Sequence, residues 1–239
     1  MLLCILTLFP EALQPYLGTS ILGIAQAKGA LVVRLVDFRD FTRDRHRSVD
    51  DRPFGGGPGM VLKPEPIFDC VGWLERRYGA FHKILLTPDG VPFRQEKARR
   101  LVEKDRILLC CGRYEGFDER IREELEWDDI SIGDFVLSGG ELPALCVTEA
   151  ISRLLPGVLG DERSAETESF EAEGLDHPHY TRPRVWRGRE VPDVLTGGDH
   201  VRIDAWRAKR RTERTLDRRP DLTNEQTNER KNDCEDQGS

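Results

Sequence analysis

The chain has no apolar run near the roughly 18 residues of a membrane span, no CxxC pair and no Gly-Lys-Ser/Thr after any glycine-rich stretch. Each absence excludes a class. Without a span, the chain reads as soluble and globular, with the cytoplasm as its expected location. Without a CxxC pair, neither a structural zinc site nor a disulfide framework is expected. The six cysteines (Cys4, Cys70, Cys110, Cys111, Cys146, Cys234) are scattered, and four sit in apolar stretches where a reduced thiol packs as a small hydrophobe. Without Gly-Lys-Ser/Thr, the lysine and hydroxyl of a phosphate-binding P-loop are missing. A basic excess is lacking too: 36 Lys and Arg face 43 Asp and Glu, a net charge of −7. Any polyanion must therefore meet a local basic patch rather than the whole surface.

The apolar start, Met1 to Phe9, lacks the positive n-region of a signal peptide, and Pro10 and Glu11 interrupt it early. It reads instead as a buried first strand. Further short apolar runs follow at Leu31 to Val36, Lys83 to Thr87 and Arg106 to Cys111, with helix-like or Gly/Pro-punctuated stretches between them. Helices are expected over Glu11 to Lys28 and Pro92 to Glu103. This alternation predicts an α/β fold on a parallel sheet, and in open sheets of that kind ligands bind outside the carboxyl ends of the strands.

Glycine marks the turns at those ends. Ser131 to Pro143 carries three glycines, including Ser138-Gly139-Gly140, beside apolar residues suited to walling a flat ring. Gly112 to Arg120 places Arg113, Tyr114 and Glu115 after a buried-looking strand, although an acidic cluster there also suits helix capping. Asp50 to Met60 has four glycines in five residues, enough for a loop over a ligand and equally for a flexible surface loop. Upstream of it, Arg39, Arg43, Arg45, His46, Arg47 and Arg52 are interleaved with Phe38 and Phe41. That pattern suits RNA phosphates and bases; the other reading is a solvated loop paired with its own aspartates. His177-Pro178-His179 has no nearby cysteine or second pair, so its histidines read as structural and no metal ligand is assigned.

After Pro156 to Gly160 the chain turns polar and acidic over residues 161–173, which reads as a flexible linker. Val201 to Arg219 has helical spacing and eight Lys/Arg against three Asp/Glu, and residues 221–239 read as an acidic, disordered tail.

Taken in order, Asp50 to Met60, Gly112 to Arg120, Ser131 to Pro143 and His177 to Pro183 closely resemble the bacterial tRNA (guanine-N1)-methyltransferase family, of the SPOUT class. Leu8-Phe9-Pro10-Glu11, Asp40 to Arg47, Pro156 to Gly160 and Val191-Pro192 extend the likeness to about Pro220. The resemblance implies a SPOUT-type α/β parallel sheet with a deep trefoil knot, plus a small, mainly helical C-terminal domain. Residues 1–160 would form the knotted domain that binds S-adenosylmethionine, and residues 174–220 the tRNA-binding domain. The implied reaction is methylation of N1 of the guanosine immediately 3′ of the anticodon, by a homodimer whose active site is shared between subunits. A Mg²⁺ requirement comes with it, without a named ligand.

By the same resemblance, cofactor contacts fall on Leu86, Thr87, Pro88, Gly112, Arg113, Tyr114, Glu115, Ile132, Gly133, Phe135, Val136, Leu137, Gly139, Gly140 and Pro143. The tRNA contacts fall on Arg43, His46, Asp50 and Arg52. Arg153 matches the family's catalytic arginine. The catalytic base, an aspartate in the family, is matched by Glu168, and Asp176 is the fallback. Two other outcomes stay open from sequence: a related knotted methyltransferase acting on ribose 2′-OH, and an RNA-binding relative without catalysis.

Overall fold

The computed structural model describes residues 1–160, 168–170 and 174–223. Backbone contacts divide the chain into two units, Met1–Gly160 and Asp161–Ser239.

The first unit is built on five parallel strands: β1 (Leu2–Thr7), β2 (Val32–Asp37), β5 (His82–Pro92), β6 (Arg106–Cys111) and β7 (Asp128–Ser131), in the order β2-β1-β6-β5-β7. Leu2 of β1 pairs with Val32 on one side and Arg106 on the other, so β1 is an inner strand. Its run is apolar from Leu2 to Leu6 because both faces are covered. Side chains alternate across the sheet: Leu3 and Ile5, with Ile107, Leu109 and Cys111 of β6, join one buried cluster. Cys4 and Leu6, with Leu108 and Cys110, join a second.

Helices close both layers. The first cluster packs against α1 (Pro10–Leu17), α2 (Ser20–Ala27), α4 (Gln95–Val102) and α6 (Glu141–Leu154). The second packs against α3 (Pro64–Tyr78) and α5 (Arg120–Glu124). At about 25 cal/mol per Å² of apolar surface, this two-sided burial is the main source of the unit's stability.

Three local expectations change. The helix read over Glu11 to Lys28 is two helices, broken where Gly18 closes onto the Gln14 carbonyl and the Thr19 hydroxyl donates to Tyr16 O at 2.8 Å. The helix read from Pro92 starts at Gln95, because β5 runs on to Pro92. The strand expected over Lys83 to Thr87 runs on to Pro92, with an irregularity over Thr87 to Gly90: Leu86 and Val91 both pair with Ile130.

In the glycine-rich loop, β3 (Asp50–Asp51) pairs antiparallel with β4 (Val61–Leu62) and closes the loop at its base.

In the second unit, β8 (Val185–Trp186) and β9 (Arg189–Glu190) form a hairpin. A long helix spans His200–Arg218, as the spacing predicts, and the Asp199 carboxylate caps it by accepting from Arg202 N at 3.2 Å. Most of residues 161–173 and all of 224–239, read as linker and tail, lie outside the described residues. No helix among the described residues is long and apolar enough to cross a membrane.

Candidate active site

A cavity of about 410 Å³ opens at the carboxyl ends of β6 and β7 and the irregularity within β5. Its volume lies in the range of small-molecule sites. Every residue to which the resemblance gives a cofactor contact, from Leu86 to Pro143, lines it.

The wall is built by close backbone approach. Gly140 N donates to Gly112 O at 2.9 Å, and Arg113 and Gly139 form an isolated antiparallel bridge. The chain after β7 is thereby laid across the end of β6. A Cβ on Gly140 would stand 2.6 Å from Cys111 Cα and 2.9 Å from Gly112 N, both backbone atoms that cannot yield. Glycine is required there by space. Tyr114 holds a left-handed backbone (φ 58°), a conformation that a non-glycine residue keeps at a cost of about 1–3 kcal/mol and that is enriched at functional sites.

A buried polar chain fixes Arg113 at the rim. The Thr7 hydroxyl donates to Glu141 Oε1 at 2.8 Å, and Glu141 Oε2 lies 2.9 Å from Arg113 Nη2. Glu141 is only 6 % exposed, so its charge depends on that pair. The Arg113 guanidinium also stacks over Phe9, 4.4 Å from the ring centroid. Exposed apolar side chains at the mouth, Phe135, Val136 and Leu137, complete a surface suited to a flat ring.

Sequence reasoning missed Arg122. It reaches the cavity from α5 and pairs with Asp129 at 2.9 Å, Asp89 at 3.1 Å and Glu119 at 3.1 Å. Burial raises the Asp129 carboxyl above its ordinary value even though Arg122 opposes this. Nothing in local spacing announces an arginine that joins β5, β7 and α5. Asp89 and Ser138, each next to a residue that the resemblance did name, also line the cavity, as does Phe117.

The proposed chemistry-bearing residues stand elsewhere in the chain. Arg153 lies in the last turn of α6. Glu168, half-buried, begins the short described segment 168–170 in the second unit. Asp176 is heavily engaged: His179 Nε2 lies 2.8 Å from Oδ2, His177 Nδ1 2.6 Å from Oδ1, and Arg211 Nη2 3.2 Å from Oδ1. Burial alone would raise its carboxyl, but His179, the His177 amide and ring, and Arg211 outweigh that and hold it down at about 2. His177 itself is pushed down by burial, which outweighs the Asp176 charge. The two histidines, read from sequence as structural, thus converge on a carboxylate.

The residues expected to meet tRNA do not share one cavity. Arg43 lines a second hollow of about 590 Å³ with Lys63, Asp69 and Arg120, and pairs with Asp69 at 2.8 Å. His46 is exposed on the loop before β3 and Arg52 on the loop after it, and Asp50 lies on β3.

Residues 1–225 match the family described as tRNA (Guanine-1)-methyltransferase TrmD. Among curated proteins, the chain is 52% identical over 218 residues to the tRNA (guanine-N(1)-)-methyltransferase of Bacillus licheniformis, covering 91% of this chain and 90% of that protein. It is 52% identical over 219 residues to the protein of the same name from Dehalococcoides mccartyi, covering 91% and 88%. The Bacillus subtilis protein of that name is 51% identical over 218 residues, covering 91% and 90%.

Proposed function

This chain belongs to the tRNA (guanine-1)-methyltransferase family, and on that premise we propose that it methylates N1 of the guanosine immediately 3′ of the anticodon in tRNA. The observation that carries the reading is the glycine-framed cavity, whose lining coincides with the residues that the family likeness gives to the cofactor. S-adenosylmethionine, which the family's activity implies, would supply an electrophilic methyl on its sulfonium. The close backbone approach at Gly140 and the apolar mouth suit its adenine ring, and Arg113, Tyr114 and Glu115 offer polar groups at the rim.

Guanine N1 carries a proton at neutral pH, so attack on the methyl needs a base within hydrogen-bond reach and a cation or donor opposite O6. Glu168 takes the proton in this reading, and Arg153 offsets the charge that develops. A carboxylate is a weaker base the further its pKa lies below the working pH, so Asp176, held at about 2 by its partners, is the poorer candidate. The target base must also leave its stack to be reached.

The SPOUT-class trefoil knot belongs to the same reading, supported by the return of residues 139–140 across the end of β6. So does a homodimer sharing its active sites, supported by exposed Tyr16, Ile24 and Leu142 on α1, α2 and α6. The tRNA-binding role of the second unit rests on the arginine-rich helix His200–Arg218. Mg²⁺ dependence is included, and the Glu115 carboxylate at the cavity is a hard oxygen donor of the kind Mg²⁺ takes.

The deciding experiment is methyl transfer to a tRNA transcript with mass mapping of the product. The expected product is N1-methylguanosine at the single site, lost when that guanosine is replaced by adenosine; a 2′-O-methyl product or no transfer overturns the reading. Glu168→Gln should lower turnover at least about 100-fold with S-adenosylmethionine binding retained. Near-wild-type turnover by that variant would move the base to Asp176.

A further inference from the structure

We propose that Asp176, His177 and His179 form a binding site for a divalent transition-metal ion of the Zn²⁺ class, distinct from any Mg²⁺ the reaction uses. One ligand atom from each, a carboxylate oxygen and two ring nitrogens, lies within 4.8 Å of the others. The sequence explains the convergence. Pro178 fixes its own φ and biases His177 away from helix, and in an extended chain residues i and i+2 face the same side. The two rings accordingly stand 4.4 Å apart between centroids.

The detail that hydrogen bonding leaves unexplained is His177 Nδ1. It is buried and lies 2.6 Å from Asp176 Oδ1, yet it makes no hydrogen bond because the angles do not suit one. A buried ring nitrogen beside a carboxylate, outside hydrogen-bond geometry, has a lone pair or proton that the contact does not satisfy, and a metal ion held by both groups would satisfy it. In a tetrahedral zinc site with bonds of about 2.0 Å the ligand atoms stand about 3.3 Å apart; His179 Nε2 and Asp176 Oδ2 stand at 2.8 Å and all three ligand atoms within 4.8 Å, so side-chain adjustments of about 1.5 Å or less would bring them to that spacing.

The carboxylate is already oriented as a metal-binding carboxylate must be. Its Oδ1 accepts from His177 N at 2.7 Å and faces Arg211, the Asp176 amide donates to Ser169 Oγ at 2.9 Å, and Arg214 donates to the Asp176 carbonyl at 3.3 Å. Arg211 lowers the site's affinity by its charge and leaves Oδ2 as the oxygen toward the ion. Two imidazoles and one carboxylate favour zinc, cobalt or nickel over magnesium, which takes oxygen ligands. Three protein ligands leave a fourth position open to water or to an incoming anion.

The test reads binding rather than methyl transfer, so its failure is separate from failure of the proposed activity. Full-length protein stripped with chelator is titrated calorimetrically with Zn²⁺ in excess Mg²⁺, and with Co²⁺ by visible absorption. The expected result is uptake of one equivalent, with a Co²⁺ spectrum of nitrogen and oxygen ligation, weakened about 100-fold in His179→Gln and in His177→Gln. The His179 side chain is 69% exposed, so its replacement leaves folding intact. Equal affinity in wild type and both variants, or a cobalt–thiolate band, assigns binding to cysteine and overturns the proposal. Absence of uptake at millimolar Zn²⁺ overturns it as well.

Discussion

Residues 131–143 and residues 50–60 both concentrate glycine, but the space around those glycines differs. In the first segment, a Cβ on Gly140 meets backbone at 2.6 Å, and one on Gly139 meets the Arg113 and Glu141 side chains at 2.3 and 2.5 Å. In the second, Gly55, Gly56 and Gly57 have φ of 84°, 81° and 120° and nothing within 4 Å of an added Cβ. Glycine serves proximity at Gly139 and Gly140 and backbone conformation at Gly55 to Gly57, while Gly59, with φ 81° and Glu115 Oε1 2.2 Å from an added Cβ, needs glycine on both counts. The proximity at Gly139 and Gly140 is the one that draws backbone against backbone into a wall of the cavity.

Substitution separates the two uses, and the largest effect should come from Gly140→Ala. The new methyl cannot fit without moving β6, so overpacking should cost about 3 kcal/mol and S-adenosylmethionine binding should become undetectable by calorimetry. Next in size is Glu141→Gln, which leaves the Arg113 charge without its buried partner. A stability loss of about 2–3 kcal/mol is expected in denaturant melts, with a roughly tenfold higher KM for S-adenosylmethionine. Smaller still is Gly56→Ala in the open loop, where only the positive φ opposes the side chain. About 1 kcal/mol of local strain and unchanged cofactor affinity are expected; a loss matching that of Gly140→Ala would erase the contrast.

The smallest effect is electrostatic. Asp129, on the strand leading into the packed segment, is raised by burial, so its ionised form weighs against the fold at neutral pH and that cost fades as pH falls through its pKa. Asp44, upstream of the open loop, is lowered: a slight burial cost is outweighed by hydrogen bonds from Ser48 and His46. Its contribution is present above 3.8 and is lost as pH falls further. Carboxyl chemical shifts followed through an acid titration should show Asp129 protonating before Asp44, and the reverse order would contradict the packing contrast.

Much of the first unit was legible because its strands are unbroken apolar runs and its turns are marked by glycine. The sequence could not show that Leu3 and Cys4 face different helical layers, since a strand buried on both sides has no polar face to give its period. It also concealed β7, four residues of which two are aspartate, and the break between α1 and α2, which depends on Gly18 and Thr19 closing onto the preceding turn. The cavity's frame followed from motif likeness, whereas Arg122 and the Asp176 cluster required contacts over distances that no local pattern records. Glu168 is a different case: likeness placed a carboxylate there, and only chemistry can assign its part.

The alternation of β6 has a use in following how the protein comes apart. Cys110 and Cys111 are chain neighbours, both fully buried, yet Cys110 belongs to the layer under α3 and Cys111 to the layer under α6. Burial raises both thiols far above their ordinary value, so neither reacts with an alkylating reagent while its layer is closed. Pulse alkylation read by peptide mass would therefore time the opening of each layer from a single strand. Simultaneous labelling would mean that the two halves of the core are lost in one cooperative event, and staggered labelling would show which helical layer lifts first.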